Sequence, residues 1–202
     1  MDLKNKQHKI KQAICRHNRP ALTSIPKKVR GFTLIEALVV LGIAAIVITA
    51  VVMKAGSANN KAKAQNMISD VATMVSDVKN AYSSSSSGYD GLTTTVAVNL
   101  KVVAPDLPVS SGKVKDQFPN GEVTIQEGSS PDFFTITYTN VPSEVCNQVI
   151  TTLGGATFQS INVNSTPVFD DGNTSGTAIV LTPTLVSTAC NTNQNTIIFA
   201  AS

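Results

Sequence analysis

From Phe32 to Met53 the chain runs for 22 residues with a single charge, Glu36, and Lys54 follows at once. Twenty apolar residues in a helix span roughly 30 Å of hydrocarbon, so this segment is long enough to cross a bilayer. Charge is distributed unevenly around it. Residues 1–31 carry nine Lys/Arg (Lys4, Lys6, Lys9, Lys11, Arg16, Arg19, Lys27, Lys28, Arg30) against Asp2. The remainder carries seven Lys, twelve acids, and no Arg or His. A positive flank stays in the cytoplasm, which puts the leader inside and everything after the span outside. The overall pI near 8.8 therefore describes the leader, and the rest is mildly acidic. With no Arg and no basic cluster to grip phosphates, the globular part is not expected to bind nucleic acid.

Three readings of the apolar segment compete. An ordinary secretory signal has an apolar core of roughly 7–15 residues and a small-residue cleavage site, for which Ala55-Gly-Ser-Ala58 would have to serve. A plain anchor explains the length and the flank, but not a carboxylate at the fifth position of the run. An ionisable group in hydrocarbon costs about 2.5–3.5 kcal/mol on insertion scales, so it calls for a partner. The third reading supplies one.

The string Arg30-Gly31-Phe32-Thr33-Leu34-Ile35-Glu36 resembles the prepilin peptidase site of type IV pilins. There a basic leader ends in Gly, a hydrophobic residue follows, and Glu is the fifth residue of the product. The resemblance implies cleavage between Gly31 and Phe32 on the cytoplasmic side and N-methylation of Phe32. It also implies polymerisation through the N-terminal helix. Cleavage would create an α-amine with a reference pKa of about 7.7–8.0, a cation able to pair with Glu36 of a neighbouring subunit. A carboxylate that is costly in a monomer becomes a docking register in a filament.

Beyond the span, apolar residues recur at Ala64, Met67, Ile68, Val71, Met74, Val75, Val78, Ala81 and Tyr82. That three-four spacing predicts an amphipathic stripe, and no Pro interrupts residues 32–82. The expectation is one helix of about 50 residues, roughly 75 Å long. Residues 32–53 form its transmembrane or filament-core half, and 54–82 its amphipathic continuation. Ser83–Ser87 and Gly88 end it, and 83–120 read as a helix-to-sheet loop region with a short helix around Thr94–Ala104. Strands are expected at Glu122–Gln126, Phe133–Thr139, Phe158–Asn164, Thr177–Leu181 and Thr196–Ala200, within a sheet head over 121–202. A short helix starting at Pro142-Ser143-Glu144 would bury Val145, Cys146, Val149, Ile150 and Leu153, and Gly154-Gly155 would stop it. Another over Pro183–Ala189 would deliver Cys190. The fold class is α+β: a long N-terminal helix packed on a mainly antiparallel sheet.

Cys15 lies in the leader, whereas Cys146 and Cys190 lie 44 residues apart in an exported, Ser/Thr/Asn-rich part. An oxidising compartment favours a disulfide between them, and two buried free thiols are the alternative. The layout is similar to that of type IV pilins, whose helix is half buried in a β-sheet head with a C-terminal disulfide-bounded region; Cys146 and Cys190 match its ends. The 31-residue leader and a strand after the second cysteine resemble the class B subgroup, which includes toxin-coregulated and bundle-forming pilins, although Phe32 as first mature residue is commoner in class A.

The resemblance further implies partners. They are other copies of the chain in a helical homopolymer, the prepilin peptidase, the inner-membrane assembly platform with its ATPase, the outer-membrane secretin, and a host or recipient cell surface. It implies an inner-membrane location before assembly, with a periplasmic head, and an extracellular pilus afterwards. A minor pilin or type II secretion pseudopilin is the alternative. Catalysis is not expected: past Arg30 there is no His or Arg, and the chain has no Trp. No cofactor or metal is expected either, since Asp170-Asp171-Gly172-Asn173-Thr174 reads as a polar turn without the bidentate Glu of a calcium loop.

Overall fold

The computed structural model describes residues 34–202 apart from 156, 174 and 175, with the side chains of 34, 36 and 49–57 left undescribed. The expected leader, Gly31 and Phe32 lie outside the described residues. Helix α1 spans Leu34–Tyr82. By contact density the chain divides at residues 46 and 47 into two units.

The unit from Val47 onward contains the sheet and the short helices. In chain order these are α2 (Thr94–Asn99), β1 (Val109–Ser110), β2 (Lys113–Lys115), β3 (Glu122–Glu127), β4 (Phe134–Val141), α3 (Ser143–Leu153), β5 (Ser160–Val163), β6 (Thr166–Asp170), α4 (Pro183–Ala189) and β7 (Asn195–Ala201). The seven strands form one sheet ordered β1-β2-β3-β4-β7-β5-β6, and every pairing is antiparallel. The last strand lies in the middle. Its Phe199 is paired with Ile136 of β4 on one side and Ile161 of β5 on the other. Those residues are fully buried, as period-two alternation in a one-sided sheet requires.

The stripe of α1 shares one apolar core with the sheet: Ala64, Met67, Val71, Met74, Val75 and Val78 cluster with Ile125, Ile136, Tyr138, Ile161, Ile197 and Phe199. Ala81 departs from the expected stripe and is exposed. Polar ties reinforce the packing. Gln117 Nε2 donates to the Lys63 carbonyl at 2.7 Å, and Asn60 Nδ2 donates to Glu144 at 2.7 Å. Tyr89 sits between Tyr82 and Phe134, with ring centroids 5.5 and 4.7 Å away.

Two expectations need correction. The strand expected at Thr177–Leu181 is a single bridge, Ile179 to Asp170. The place beside β5 is taken instead by Thr166–Asp170, where Pro167 disguises the strand; an edge strand tolerates a residue that lacks an N–H. The helix expected to reach Ala104 ends at Asn99, because Lys101 enters the left-handed region at φ 58°. Val102 and Ala104 are buried, but from irregular backbone. The hairpin of β1 and β2 within the 83–120 region had no sequence forecast; two- and three-residue strands carry too little pattern to read.

Candidate assembly surface and disulfide region

Residues 37–48 are all apolar or Gly. On α1, Ile35, Leu38, Val39, Val40, Leu41, Ile43, Ile46, Val47 and Ile48 are each more than half exposed. Burying a Val, Leu or Ile side chain is worth about 1.5–3 kcal/mol, so covering this surface would contribute on the order of 10 kcal/mol. A continuous apolar surface of this kind marks a contact with lipid or protein. Among the described residues no helix is long and apolar enough to cross a membrane. Of the expected span 32–53, side chains are described only at 35 and 37–48. Glu36 sits in the first turn of α1, and its side chain is outside the description; Gly31 and Phe32 precede the described residues.

In the C-terminal half of the chain, Cys146 and Cys190 form a disulfide, with Cα atoms 5.8 Å apart. Cys146 is on the buried face of α3, and Cys190 is the C-cap of α4. Each helix is placed by local signals. Pro142 leads into α3, and Gly154 ends it at φ 55°, a conformation that favours glycine. Thr182 caps α4 by accepting from Leu185 N–H, and Pro183 fills the first helical turn. The bridge encloses β5 and β6.

Sequence reasoning missed the polar lock beside this bridge. Asn195 is fully buried. Its amide donates to the carbonyls of Val141 (3.0 Å) and Thr192 (2.6 Å). Its oxygen accepts from Thr192 Oγ1 and Asn164 Nδ2, both at 2.8 Å. Asn164, at φ 49°, also donates to the Ala189 carbonyl and accepts from Thr196 N–H. Asparagine suits both demands, since it tolerates left-handed backbone and offers donor and acceptor together. The Asp170–Thr174 segment behaves as a turn over its described part: Asp170 and Asp171 accept from the N–H groups of Gly172 and Asn173.

An apolar N-terminal helix whose later turns are buried against an antiparallel sheet with a C-terminal disulfide has the architecture of a type IV pilin. Comparison with known proteins agrees. Residues 26–52 match the prokaryotic N-terminal methylation motif, and residues 59–202 match the family described as PilS N terminal. The chain belongs to the PilS family of type IV pilins. It is 26% identical over 175 residues to the major structural subunit of bundle-forming pilus from Escherichia coli O127:H6 (strain E2348/69 / EPEC), covering 83% of this chain and 90% of that protein. The corresponding subunit from Escherichia coli O111:H- is similar to the same extent.

Proposed function

We propose that this chain is a major, filament-forming subunit of a class B type IV pilus and has no enzymatic role. Prepilin peptidase removes residues 1–31 by cutting between Gly31 and Phe32, and Phe32 is then N-methylated. Before assembly, residues 32–53 hold the subunit in the inner membrane with its head in the periplasm. Residues 54–82 continue the helix under the head, 83–120 connect it to the sheet, and 121–202 form the head around the 146–190 disulfide region. The assembly platform and its ATPase then move subunits into a filament that leaves through the secretin. Outside the cell the pilus serves adhesion, aggregation or conjugative contact.

The observation that carries this reading is the exposed apolar surface of α1 from Ile35 to Ile48, on a helix whose later turns are buried. A surface so apolar suits lipid first and the helices of other subunits afterwards. Glu36 fits the same scheme: the new α-amine of one subunit neutralises the carboxylate of another, which sets the axial register. The similarity of the chain to a major pilus subunit supports a high-copy role. The test is N-terminal sequencing and gel quantitation of sheared surface filaments. A dominant subunit beginning at methylated Phe32 is the expected result. A mature chain beginning at Asn59 would refute pilin processing, and a chain cut at Phe32 but present only in traces would assign it to the minor pilins or pseudopilins.

A further inference from the structure

A cleft of about 350 Å³ opens on the head where the β3–β4 connection, the residue before β5 and the turn after β6 come together. Ser129, Ser130, Asp132, Phe133, Gln159 and Asn173 line it. Its volume lies at the lower end of the range for small-ligand sites, about 300–1,000 Å³.

The fold fixes each wall. Gly128 N–H donates to the Phe133 carbonyl at 2.9 Å and closes the β3–β4 connection. The Phe133 ring lies against Gly128, where a Cβ would collide with it, so the ring has a defined seat. Gln159 N–H donates to the Ala200 carbonyl of β7 at 2.8 Å, and its own carbonyl accepts from Asp171 N–H at 2.9 Å. Asp171 in turn accepts from the N–H and the Nδ2 of Asn173, both at 2.8 Å. Ser130 Oγ donates to Asp132 at 3.1 Å. The Oε1 of Gln159 is buried and has no hydrogen-bond partner among the described residues. The terminal torsion of glutamine is soft, so a half-turn of the amide offers this acceptor to a ligand hydroxyl. Hydroxyl-rich surface continues beyond the cleft. Tyr89 N–H donates to the Pro131 carbonyl at 2.7 Å, which brings the end of the exposed Ser83–Ser87 run to the same connection.

The lining dictates the class of ligand. An apolar molecule would leave the amides, hydroxyls and carboxylate unpaired, at a cost for each. An anion would meet Asp132 and the nearby Asp171, and among the described residues no Lys or Arg lines the cleft. An ammonium group would use Asp132 and the ring and leave two amides and two hydroxyls idle. A neutral sugar uses all of them. Side-chain amides present donor and acceptor together, as adjacent ring hydroxyls do, and a carboxylate accepts from hydroxyls. The Phe133 ring offers its face to the apolar C–H side of a pyranose.

We propose that this cleft binds a neutral sugar residue of a cell-surface glycan. The inference rests on the adhesive role proposed above and names the ligand class of that role. A cleft so open binds one sugar weakly, on the order of millimolar. A filament that repeats it many times gains avidity without any tighter single site.

The test uses full-length oxidised subunit in a detergent without a sugar headgroup. Two-dimensional amide spectra are recorded against methyl galactoside, methyl glucoside, N-acetylglucosamine, N-acetylneuraminic acid and tetramethylammonium. An array of neutral host-type oligosaccharides and bacterial O-polysaccharides then separates the two sources of the same chemistry. At least one neutral sugar should shift the signals of residues 129–133, 159 and 171–173. Asp132→Ala and Asn173→Ala change exposed positions, so denaturant unfolding should be unaltered while affinity falls about 5- to 10-fold. Phe133→Ala should weaken binding further. Four results would overturn the site: no neutral sugar bound, shifts confined to other residues, full affinity in both exposed variants, or equal or tighter binding of N-acetylneuraminic acid or tetramethylammonium. Each is read on a subunit whose N-terminus has been sequenced. A subunit cut at Phe32 that binds no sugar sinks this inference alone, whereas a mature chain beginning at Asn59 sinks the pilin reading.

Discussion

The two halves of α1 both carry large apolar side chains, and these meet opposite fates. From Ile35 to Ile48 the large side chains are exposed all round; from Ala64 to Val78 the large apolar ones of the stripe are buried at one face, Ile68 only partly, while mostly polar residues fill the other. The difference is one of periodicity. A stripe with three-four spacing finds its partner inside the same chain, because a sheet can cover one face and leave the other to water. A helix apolar on every side cannot be covered by one sheet, so its partner has to come from outside the chain. The same element therefore contributes to the fold at one end and to assembly at the other.

Glu36 offers the largest break of that contrast. Glu36→Val should leave insertion and cleavage intact, because it makes the apolar half more apolar, yet abolish filaments. Glu36→Gln keeps shape and hydrogen bonding without charge and should be nearly as defective. Microscopy of sheared fractions decides the matter: a wild-type pilus yield from Glu36→Gln would show that charge is not what docks the subunit. Upstream, a bulky residue at Gly31 should leave uncut precursor in the inner membrane, visible as the larger species by immunoblot.

Next in size come paired truncations that set the halves against each other. Met74 is fully buried, and Met74→Ala should cost about 2–5 kcal/mol of head stability in denaturant unfolding. Ile43 is 58% exposed, and Ile43→Ala should leave head unfolding unchanged while reducing filament yield. Equal losses of head stability would erase the distinction. Losing the disulfide through Cys146→Ser should cost about 2–5 kcal/mol and lower subunit levels, with no effect on cleavage.

What could be read from the sequence follows the same physical divide. The N-terminal methylation motif, the stripe, the helix over Pro183–Ala189 and the strand after Cys190 are signalled by residues close together in the chain, so they were legible. The pairing of Cys146 with Cys190 was inferred from compartment, and the geometry agrees. The missed features are those created by distant segments. Asp70 reads as an ordinary polar residue beside a stripe until the fold buries it. Asn164 reads as the end of an expected strand, and becomes part of a lock only when the fold brings Ala189 and Asn195 to it. Thr166–Asp170 is hidden by a proline that only an edge position allows. Thr177–Leu181 has strand composition but meets the β6 edge through a single bridge, Ile179 to Asp170.

The smallest expected effect separates local from long-range contributions in the region that carries the second cysteine. Helix α4 has only seven residues, too few to be stable alone, so its position depends on its cap and on the bridge at its end. Thr182 Oγ1 accepts from Leu185 N–H at 3.3 Å, and removing such a cap typically costs about 1 kcal/mol. The far end of α4 is held independently, by the disulfide at Cys190 and by Asn164 bonded to the Ala189 carbonyl. Thr182→Ala should therefore lower head stability by about 1 kcal/mol and leave the disulfide fully formed by thiol labelling. In a reduced, Cys146→Ser background the same change should cost more, because the remaining anchor then carries the helix alone. Strictly additive losses in that double mutant would show that cap and bridge act on separate parts of the head.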